Sequence, residues 1–194
     1  MSRSAILPAL AAILMLSGCD REPDPAPQES ATQAGANGAA AAGEIDRSFA
    51  GELMPAANLA NPADEVLNLG ALQGRPTLIN LWATWCAPCV KEMPLLDDLA
   101  TDFEGELNVV TVSQDMGDPG EVSAFFEENG LDNLPQWIDP QLALGEAIGA
   151  STLPTTVMYD STGQEVWRVT GDYDWASEEA RAAIAEVVET PEVP

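Results

Sequence analysis

Residues 77–94 read TLINLWATWCAPCVKEMP, and this stretch decides how the middle of the chain folds. Its first six residues are mostly apolar, which predicts a strand that is buried on both faces. Cys86 and Cys89 follow closely, and Pro88 suits the first turn of a helix. The sequence therefore predicts that Cys86 lies where a buried strand meets the N-terminus of a helix.

Such a junction favours a reactive thiolate at Cys86. The first N–H groups of a helix lack partners within the helix, and the positive end of its dipole lies there, so an anion is stabilised. The pKa of a cysteine in this position falls below its free value of about 8.5. With Cys89 three residues on, the pair can close a small disulfide and reopen it, which is thiol–disulfide exchange.

Two other interpretations of the cysteine pair were weighed. A zinc site needs four protein ligands, or three and a water molecule. The chain has 3 cysteines and no histidine, which disfavours zinc, and no metal ligand is predicted. The second alternative is an inert structural disulfide, although so small a loop constrains little of the unfolded chain.

The stretch from Trp82 to Cys89 resembles the thioredoxin active-site motif, and the fuller pattern resembles the TlpA/ResA branch of membrane-tethered thioredoxin-like proteins. Residues 91–94 (Lys-Glu-Met-Pro) follow the second cysteine as in that branch. Residues 153–155 (Leu-Pro-Thr) match the segment that carries a cis-proline facing the disulfide. The longer sequence between the two matches the family's central insertion, and the resemblance covers roughly residues 48–190.

The predicted fold is α/β and thioredoxin-like: a central mixed sheet flanked by helices, with a central βα insertion and an N-terminal strand extension. Strands alternate with helices and a hairpin and a final helix follow, which is typical of this class. Strands are predicted at residues 66–69, 77–82, 108–113, 136–138, 155–159 and 165–170. Helices are predicted after the cysteines, after Asp118, near 142–148 and after Ser177.

The resemblance implies that Cys86 attacks a substrate disulfide and that Cys89 then resolves the mixed disulfide. Thioredoxin has a buried aspartate on the preceding strand to deprotonate the resolving cysteine, but Asn80 stands at that position here. Glu92 lies three residues after Cys89, on the same helix face, so we assign it as the general base. The alternative is a solvated helix carboxylate.

The resemblance also implies a substrate-binding surface. Pro154, in the cis form, would face the disulfide, and Leu153 would offer backbone groups to a bound peptide. Trp85, beside Cys86, would contact partners, and Pro88 lies between the cysteines and influences their reduction potential. No cofactor is expected apart from the redox-active disulfide, and the expected substrates are protein disulfides or dithiols.

Residues 1–18 read as a lipoprotein signal peptide, since their apolar stretch is shorter than the about 20 residues that span a bilayer. Leu-Ser-Gly-Cys at 16–19 resembles the bacterial lipobox, which implies cleavage before Cys19 and lipid attachment there. The alternative is an ordinary signal with a stray cysteine. Residues 19–47 are rich in Ala, Pro and Gly and read as a flexible tether, followed by a thioredoxin-like domain at 48–190.

The chain is strongly acidic, with 7 Lys+Arg against 32 Asp+Glu and a formal net charge of −25. Such a charge repels nucleic acid and steers basic partners, although a generally acidic surface explains it equally well. The signal implies the periplasmic side of the cell membrane. Asp20 resembles an inner-membrane retention signal, which favours the inner membrane over the outer.

The resemblance implies a reductant for exported proteins in the maturation of cytochrome c or of the cytochrome oxidase copper site, with a membrane thiol transporter as electron donor. The first alternative is an oxidase that forms disulfides. A copper chaperone of the Sco type is less favoured, because that type has C-x-x-x-C and a distant histidine, and this chain has neither. A peroxidase is also possible in thioredoxin-like folds, but no third cysteine would be available in this chain after processing at Cys19.

Overall fold

A computed structural model describes residues 43–190, which form one sheet and the helices that cover it. The signal segment at 1–18, Cys19 and most of the predicted tether lie outside the described residues. The eight strands of this region are β1 Ile45–Asp46, β2 Asn58–Ala60, β3 Val66–Asn68, β4 Thr77–Trp82, β5 Asn108–Ser113, β6 Trp137–Ile138, β7 Thr155–Tyr159 and β8 Glu165–Thr170. Their order in the sheet is β1-β8-β7-β4-β5-β6-β2-β3.

The central strand β4 leads directly to the cysteines. All six of its residues are buried, as their apolar character predicts. It pairs in parallel with β5, from Thr77 opposite Asn108 to Trp82 opposite Ser113. It pairs antiparallel with β7, where Leu81 lies opposite Thr155. The end of β4 is therefore close to the start of β7, so the cysteines and the Leu153–Pro154 segment meet at one edge of the sheet.

Four helices cover the two faces of the sheet: α1 Ala87–Asp102, α2 Pro119–Asn129, α3 Ala143–Ala147 and α4 Glu178–Val188. Alternate residues of β4 point to opposite faces. Leu78 and Trp82 pack with apolar residues of α1, α2 and α4, whereas Ile79 and Leu81 pack with Leu144 of α3. Two separate cores thus fix the positions of α1 and α3 relative to the end of β4.

The predicted thioredoxin-like α/β fold is confirmed, and the strand boundaries agree within one residue at each predicted strand. The strand predicted at 66–69 ends at Asn68, because Leu69 begins a short 3-10 helix, Leu69–Leu72, and is fully buried. The N-terminal extension supplies both edges of the sheet: β1 pairs with β8, and the β2–β3 hairpin joins β6. β1 lies in the last residues assigned to the tether, so the sheet begins before residue 48.

A buried ion pair joins β8 to its surroundings. The Arg168 guanidinium donates to both carboxylate oxygens of Glu165 at 2.6 Å. It also donates to the carbonyl oxygen of Ile148 at 2.8 Å, at the end of α3, and lies 3.7 Å from the centre of the Phe49 ring. This single side chain therefore ties the N-terminal segment, β8 and the end of α3 together.

None of the helices within residues 43–190 combines the length and the apolar character required to cross a membrane.

Candidate active site

Cys86 and Cys89 form a disulfide at the start of α1. Cys86 is the N-cap residue, and its Sγ accepts a hydrogen bond from the backbone N–H of Cys89 at 3.4 Å. Pro88 occupies the second position of the helix, where its missing N–H costs no helical hydrogen bond. The junction predicted from the sequence is confirmed, and the N–H groups of the first turn are placed to stabilise a Cys86 thiolate once the disulfide is reduced.

The two sulfur-bearing residues differ in access to solvent. Both belong to the core that packs against α1, but Cys86 is 6% exposed and lines a surface cavity, whereas Cys89 is 1% exposed and does not line that cavity. An incoming disulfide therefore meets Cys86 first. This order agrees with attack by Cys86 and resolution by Cys89.

The loop before Cys86 is held by a carboxylate that sequence reasoning missed. Asp115 accepts hydrogen bonds from the Thr84 backbone N–H at 3.0 Å, from the Thr84 hydroxyl at 2.8 Å and from the Ser113 hydroxyl at 2.7 Å. Thr84 and Asp115 each lie two residues beyond the ends of the parallel strands β4 and β5. These equal offsets bring them together at the carboxyl edge of the sheet, and they are the signal that could have revealed the pair.

A cavity of about 800 Å³ opens beside Cys86. Three exposed apolar side chains line it: Trp85 is 71% exposed, Met116 75% and Leu142 40%. Leu153 also lines it, so the structure brings two of the predicted substrate-binding residues, Trp85 and Leu153, to the same cavity as Cys86. Apolar residues exposed around a concave site are typical of surfaces that bind another molecule.

The Leu153–Pro154 peptide bond is cis, as the resemblance implied. Pro154 itself is buried, and its carbonyl oxygen accepts a hydrogen bond from the Gly171 N–H at 2.8 Å. Gly171 has φ +90°, a backbone conformation that favours glycine. The segment after β8 is therefore bonded to the loop that faces the cavity, and the same segment continues to the contact with Glu92.

Glu92 is buried, with 2% of its surface exposed, so the alternative of a solvated helix carboxylate is wrong. Its Oε1 accepts a hydrogen bond from the backbone N–H of Tyr173 at 2.7 Å. Burial raises the pKa of Glu92 from 4.5 to about 7, while the Tyr173 N–H and the nearby Trp175 side chain lower it and Asp172 raises it further. A carboxyl group with this pKa exchanges its proton readily near neutral pH.

Other buried carboxylates of the described region are engaged elsewhere. Both carboxylate oxygens of Asp97, also on α1, accept hydrogen bonds from Asn133. Asn80 occupies the position of thioredoxin's aspartate; it is buried and donates from Nδ2 to the Thr156 hydroxyl at 2.9 Å, which ties β4 to β7. An amide takes up no proton, whereas Glu92, a buried carboxyl group, lies one helical turn from Cys89.

A smaller cavity of about 250 Å³ also includes Glu92 in its lining, together with Lys91, Leu95, Asp172, Tyr173 and Asp174. It shares no lining residue with the cavity beside Cys86. Within residues 43–190, no cluster of three or more His, Cys, Asp or Glu side chains is arranged to hold a metal ion.

The comparisons with known proteins agree with this geometry. The Redoxin family model matches residues 49–184. The thiol-disulfide oxidoreductase ResA of Geobacillus thermodenitrificans is 34% identical over 100 residues, which cover 51% of this chain and 56% of that protein. The ResA protein of Bacillus subtilis is 32% identical over 106 residues, covering 54% of this chain and 58% of that protein. The chain thus aligns with less than two thirds of the length of these relatives.

Two solved structures show the same fold. The exposed lipoprotein thioredoxin Etrx1 of Streptococcus pneumoniae has a TM-score of 0.60 at 22% identity, covering 67% of this chain and 98% of that chain. A secreted disulfide oxidoreductase of Mycobacterium tuberculosis has a TM-score of 0.59 at 19% identity, covering 68% of this chain and 96% of that chain. With the family match over residues 49–184, these findings show that the chain belongs to the Redoxin family and has a thioredoxin-like fold.

Proposed function

We propose that this protein is a thiol–disulfide oxidoreductase that reduces disulfides in other proteins through Cys86 and Cys89. The observation that carries the proposal is the position of the disulfide. Its more accessible cysteine caps the N-terminus of α1 and lines an apolar cavity, and its partner lies beneath it. An inert structural disulfide needs neither the cavity nor the unpaired N–H groups of a helix terminus.

The reaction begins from the reduced pair. The Cys86 thiolate attacks one sulfur of the substrate disulfide; the substrate S–S bond breaks, and a mixed disulfide forms while one substrate cysteine leaves as a thiolate. Cys89 then loses its proton and attacks the Cys86 sulfur, which releases the second substrate cysteine. Two electrons pass from the protein dithiol to the substrate, and the Cys86–Cys89 disulfide of the present structure is the product.

Glu92 is the proposed general base for Cys89. Cys89 and Glu92 lie three residues apart on the same face of α1, and both side chains are buried. A pKa of about 7 leaves much of Glu92 ionised at neutral pH and still basic enough to accept a thiol proton. Its carboxyl group would then return the proton to solvent through the smaller cavity that it lines.

The location and the biological pathway are further proposals. The lipobox-like residues 16–19 support an exported protein held by lipid on Cys19, on the periplasmic side of the inner membrane. The similarity to ResA proteins supports a reductant in cytochrome c or cytochrome oxidase copper-site maturation, supplied with electrons by a membrane thiol transporter. Replacing Cys19 with alanine tests the anchor: the protein should move from the membrane fraction to the soluble fraction, and an unchanged distribution contradicts lipidation.

Trapping of mixed disulfides tests the assignment of the two cysteines. In cells that express the Cys89→Ser variant, Cys86 should remain joined to substrates, giving species that non-reducing gels resolve and reductant releases. The Cys86→Ser variant should trap few such species, and the double variant provides the background. If Cys86→Ser accumulates the mixed disulfides instead, the roles of the two cysteines are reversed.

A further inference from the structure

We infer that one wall of the cavity beside Cys86 selects substrates, and that it favours polypeptide segments that carry an apolar residue together with lysine or arginine near the reactive cysteine. This wall, the α3 wall, consists of Leu142, Gly145 and Glu146. The inference rests on the proposed function, since it names the class of polypeptide that the oxidoreductase would accept.

Exposed apolar residues are concentrated at this cavity. Five large hydrophobic residues are exposed in the described part of the chain, and three of them, Trp85, Met116 and Leu142, line the cavity; the other two, Leu53 and Val66, do not. When a partner covers an exposed apolar cluster of this kind, the removal of its surface from water stabilises the complex. An apolar side chain beside the substrate cysteine would cover it while the cysteine itself reaches Cys86.

The α3 wall is held in place before any substrate arrives. The buried Asp139 carboxylate accepts hydrogen bonds from the N–H groups of Ala143 at 3.0 Å, Leu144 at 2.8 Å and Gly145 at 3.4 Å. The Leu142 N–H donates to the Asp139 carbonyl at 3.0 Å, which holds Leu142 at φ +57°. Because these contacts already order the wall, little conformational entropy is lost there when a substrate binds.

The charge lining the cavity is negative. Glu146 is the sole charged residue that lines it. None of the five lysine and arginine residues of the described region lines this cavity. Arg47, Arg168 and Arg181 pair with carboxylates, and Lys91 lines the smaller cavity. Arg75 contacts Asn108 where β4 and β5 begin, at the end of the sheet away from the cysteines. A basic substrate residue would meet an unopposed carboxylate, in a protein whose formal net charge is −25.

The relative positions of Leu142 and Glu146 in the wall bear on how far apart the apolar and basic residues of a substrate should be. Leu142 and Glu146 are one helical turn apart, and the Glu146 N–H donates to the Leu142 carbonyl at 2.9 Å. In an extended peptide, side chains two positions apart point to the same side. The basic residue should therefore stand two positions from the apolar one, so that both can face this wall.

A panel of short peptides, each with one cysteine and joined as symmetric disulfides, tests the inference on the full chain. The four peptides differ in one position near the cysteine (Leu or Ser) and in another two residues away (Lys or Glu). Rates of reduction by the dithiol protein are measured for each. We expect leucine to exceed serine about tenfold and lysine to exceed glutamate about threefold, with the latter preference lost in high salt.

Three cavity variants connect these preferences to named residues. Glu146→Lys and Leu142→Ser lie in the α3 wall, and Met116→Ser lies elsewhere in the same cavity. Glu146→Lys should reverse the preference between lysine and glutamate, and Leu142→Ser and Met116→Ser should each reduce the preference for leucine several-fold. Each preference is a ratio of rates for two peptides on one variant, so it does not depend on the folded fraction. Leu53→Ser and Glu128→Lys, exposed residues that do not line the cavity, are the matched controls and should keep all ratios.

The outcomes separate the inference from the function on which it rests. If the wild-type protein reduces oxidised glutathione but the two α3-wall variants keep the wild-type ratios, the inference is wrong and the proposed function stands. If the wild-type protein exchanges neither glutathione nor any peptide, both are wrong. If the wall variants alter self-association in sedimentation while the peptide ratios are unchanged, a second copy of the chain covers this wall, which also overturns the inference.

Discussion

Replacing Glu92 with glutamine should remove a defined part of the pH dependence of folding. The pKa of this carboxyl group is about 7 in the folded chain against 4.5 ordinarily, chiefly because of burial. A raised pKa means that the folded state favours the neutral form of the carboxyl group. Its contribution to the free energy of unfolding is therefore fully present below about pH 4.5 and is lost as pH rises through 7. A shift of about 2.5 units corresponds to about 3 kcal/mol, at 1.36 kcal/mol per unit.

Urea unfolding of the oxidised protein at several pH values between 4 and 8 measures this effect. The other carboxylates also titrate, since the chain holds 32 Asp+Glu, so the informative quantity is the difference in unfolding free energy between Glu92→Gln and wild type. We expect that difference to rise by about 3 kcal/mol in favour of the variant between pH 4.5 and pH 8. Asp98→Asn, an exposed residue of the same helix, is the control and should change stability little. A Glu92→Gln difference that stays constant with pH refutes the reasoning.

Three further predictions concern the same site and its supports. In single-turnover reactions the rate of resolution by Cys89 should rise through about pH 7 in the wild type, and Glu92→Gln should lose this rise; an unchanged pH profile removes Glu92 from the mechanism. Arg168→Met leaves the Glu165 carboxylate buried without its partner, and urea unfolding should show a loss of about 3–5 kcal/mol; a loss below about 1 kcal/mol contradicts the structural role. Asp115→Ala removes three accepted hydrogen bonds and should lower both stability, by about 1–3 kcal/mol, and the rate of disulfide exchange, whereas an unaltered rate shows that the Thr84 loop is positioned without it.

The centre of the fold could be predicted because its signals are local. A run of apolar residues at 77–82 marks a buried strand, and Pro88 and the two cysteines mark the helix start that follows. The caps of α2 and α4 were also visible, since Asp118 and Ser177 each accept a hydrogen bond from the N–H of a residue two or three positions on. Such contacts depend on neighbours in the sequence, so pattern reasoning reaches them.

The edges of the sheet were harder to predict. β1 and β2 contain two and three residues, which is too short for a period-two pattern to be recognised. They exist because β8 and β6 offer unpaired backbone groups, and that is a property of the assembled sheet. The resemblance indicated an N-terminal strand extension, and the local sequence located its β3 strand but not β1 or β2.

The environment of Glu92 depends on a contact that no spacing rule reveals. Its hydrogen bond to the Tyr173 N–H spans 81 residues of sequence, and the segment that supplies it is also bonded to Pro154 through Gly171. Sequence reasoning placed Glu92 beside Cys89 on one helix face but left its burial open. Asp139, which orders the α3 wall, and Asp115, which anchors Thr84, escaped notice because each acts across a loop.

The reduction potential of the Cys86–Cys89 pair tests the central claim most directly. The protein would be equilibrated in thiol redox buffers, its free thiols alkylated, and the oxidised fraction quantified by mass spectrometry. We expect a potential near that of thioredoxin, about −270 mV, as is typical of a dedicated reductant. A potential near about −120 mV would contradict it, because so unstable a disulfide passes to other proteins and marks an oxidase.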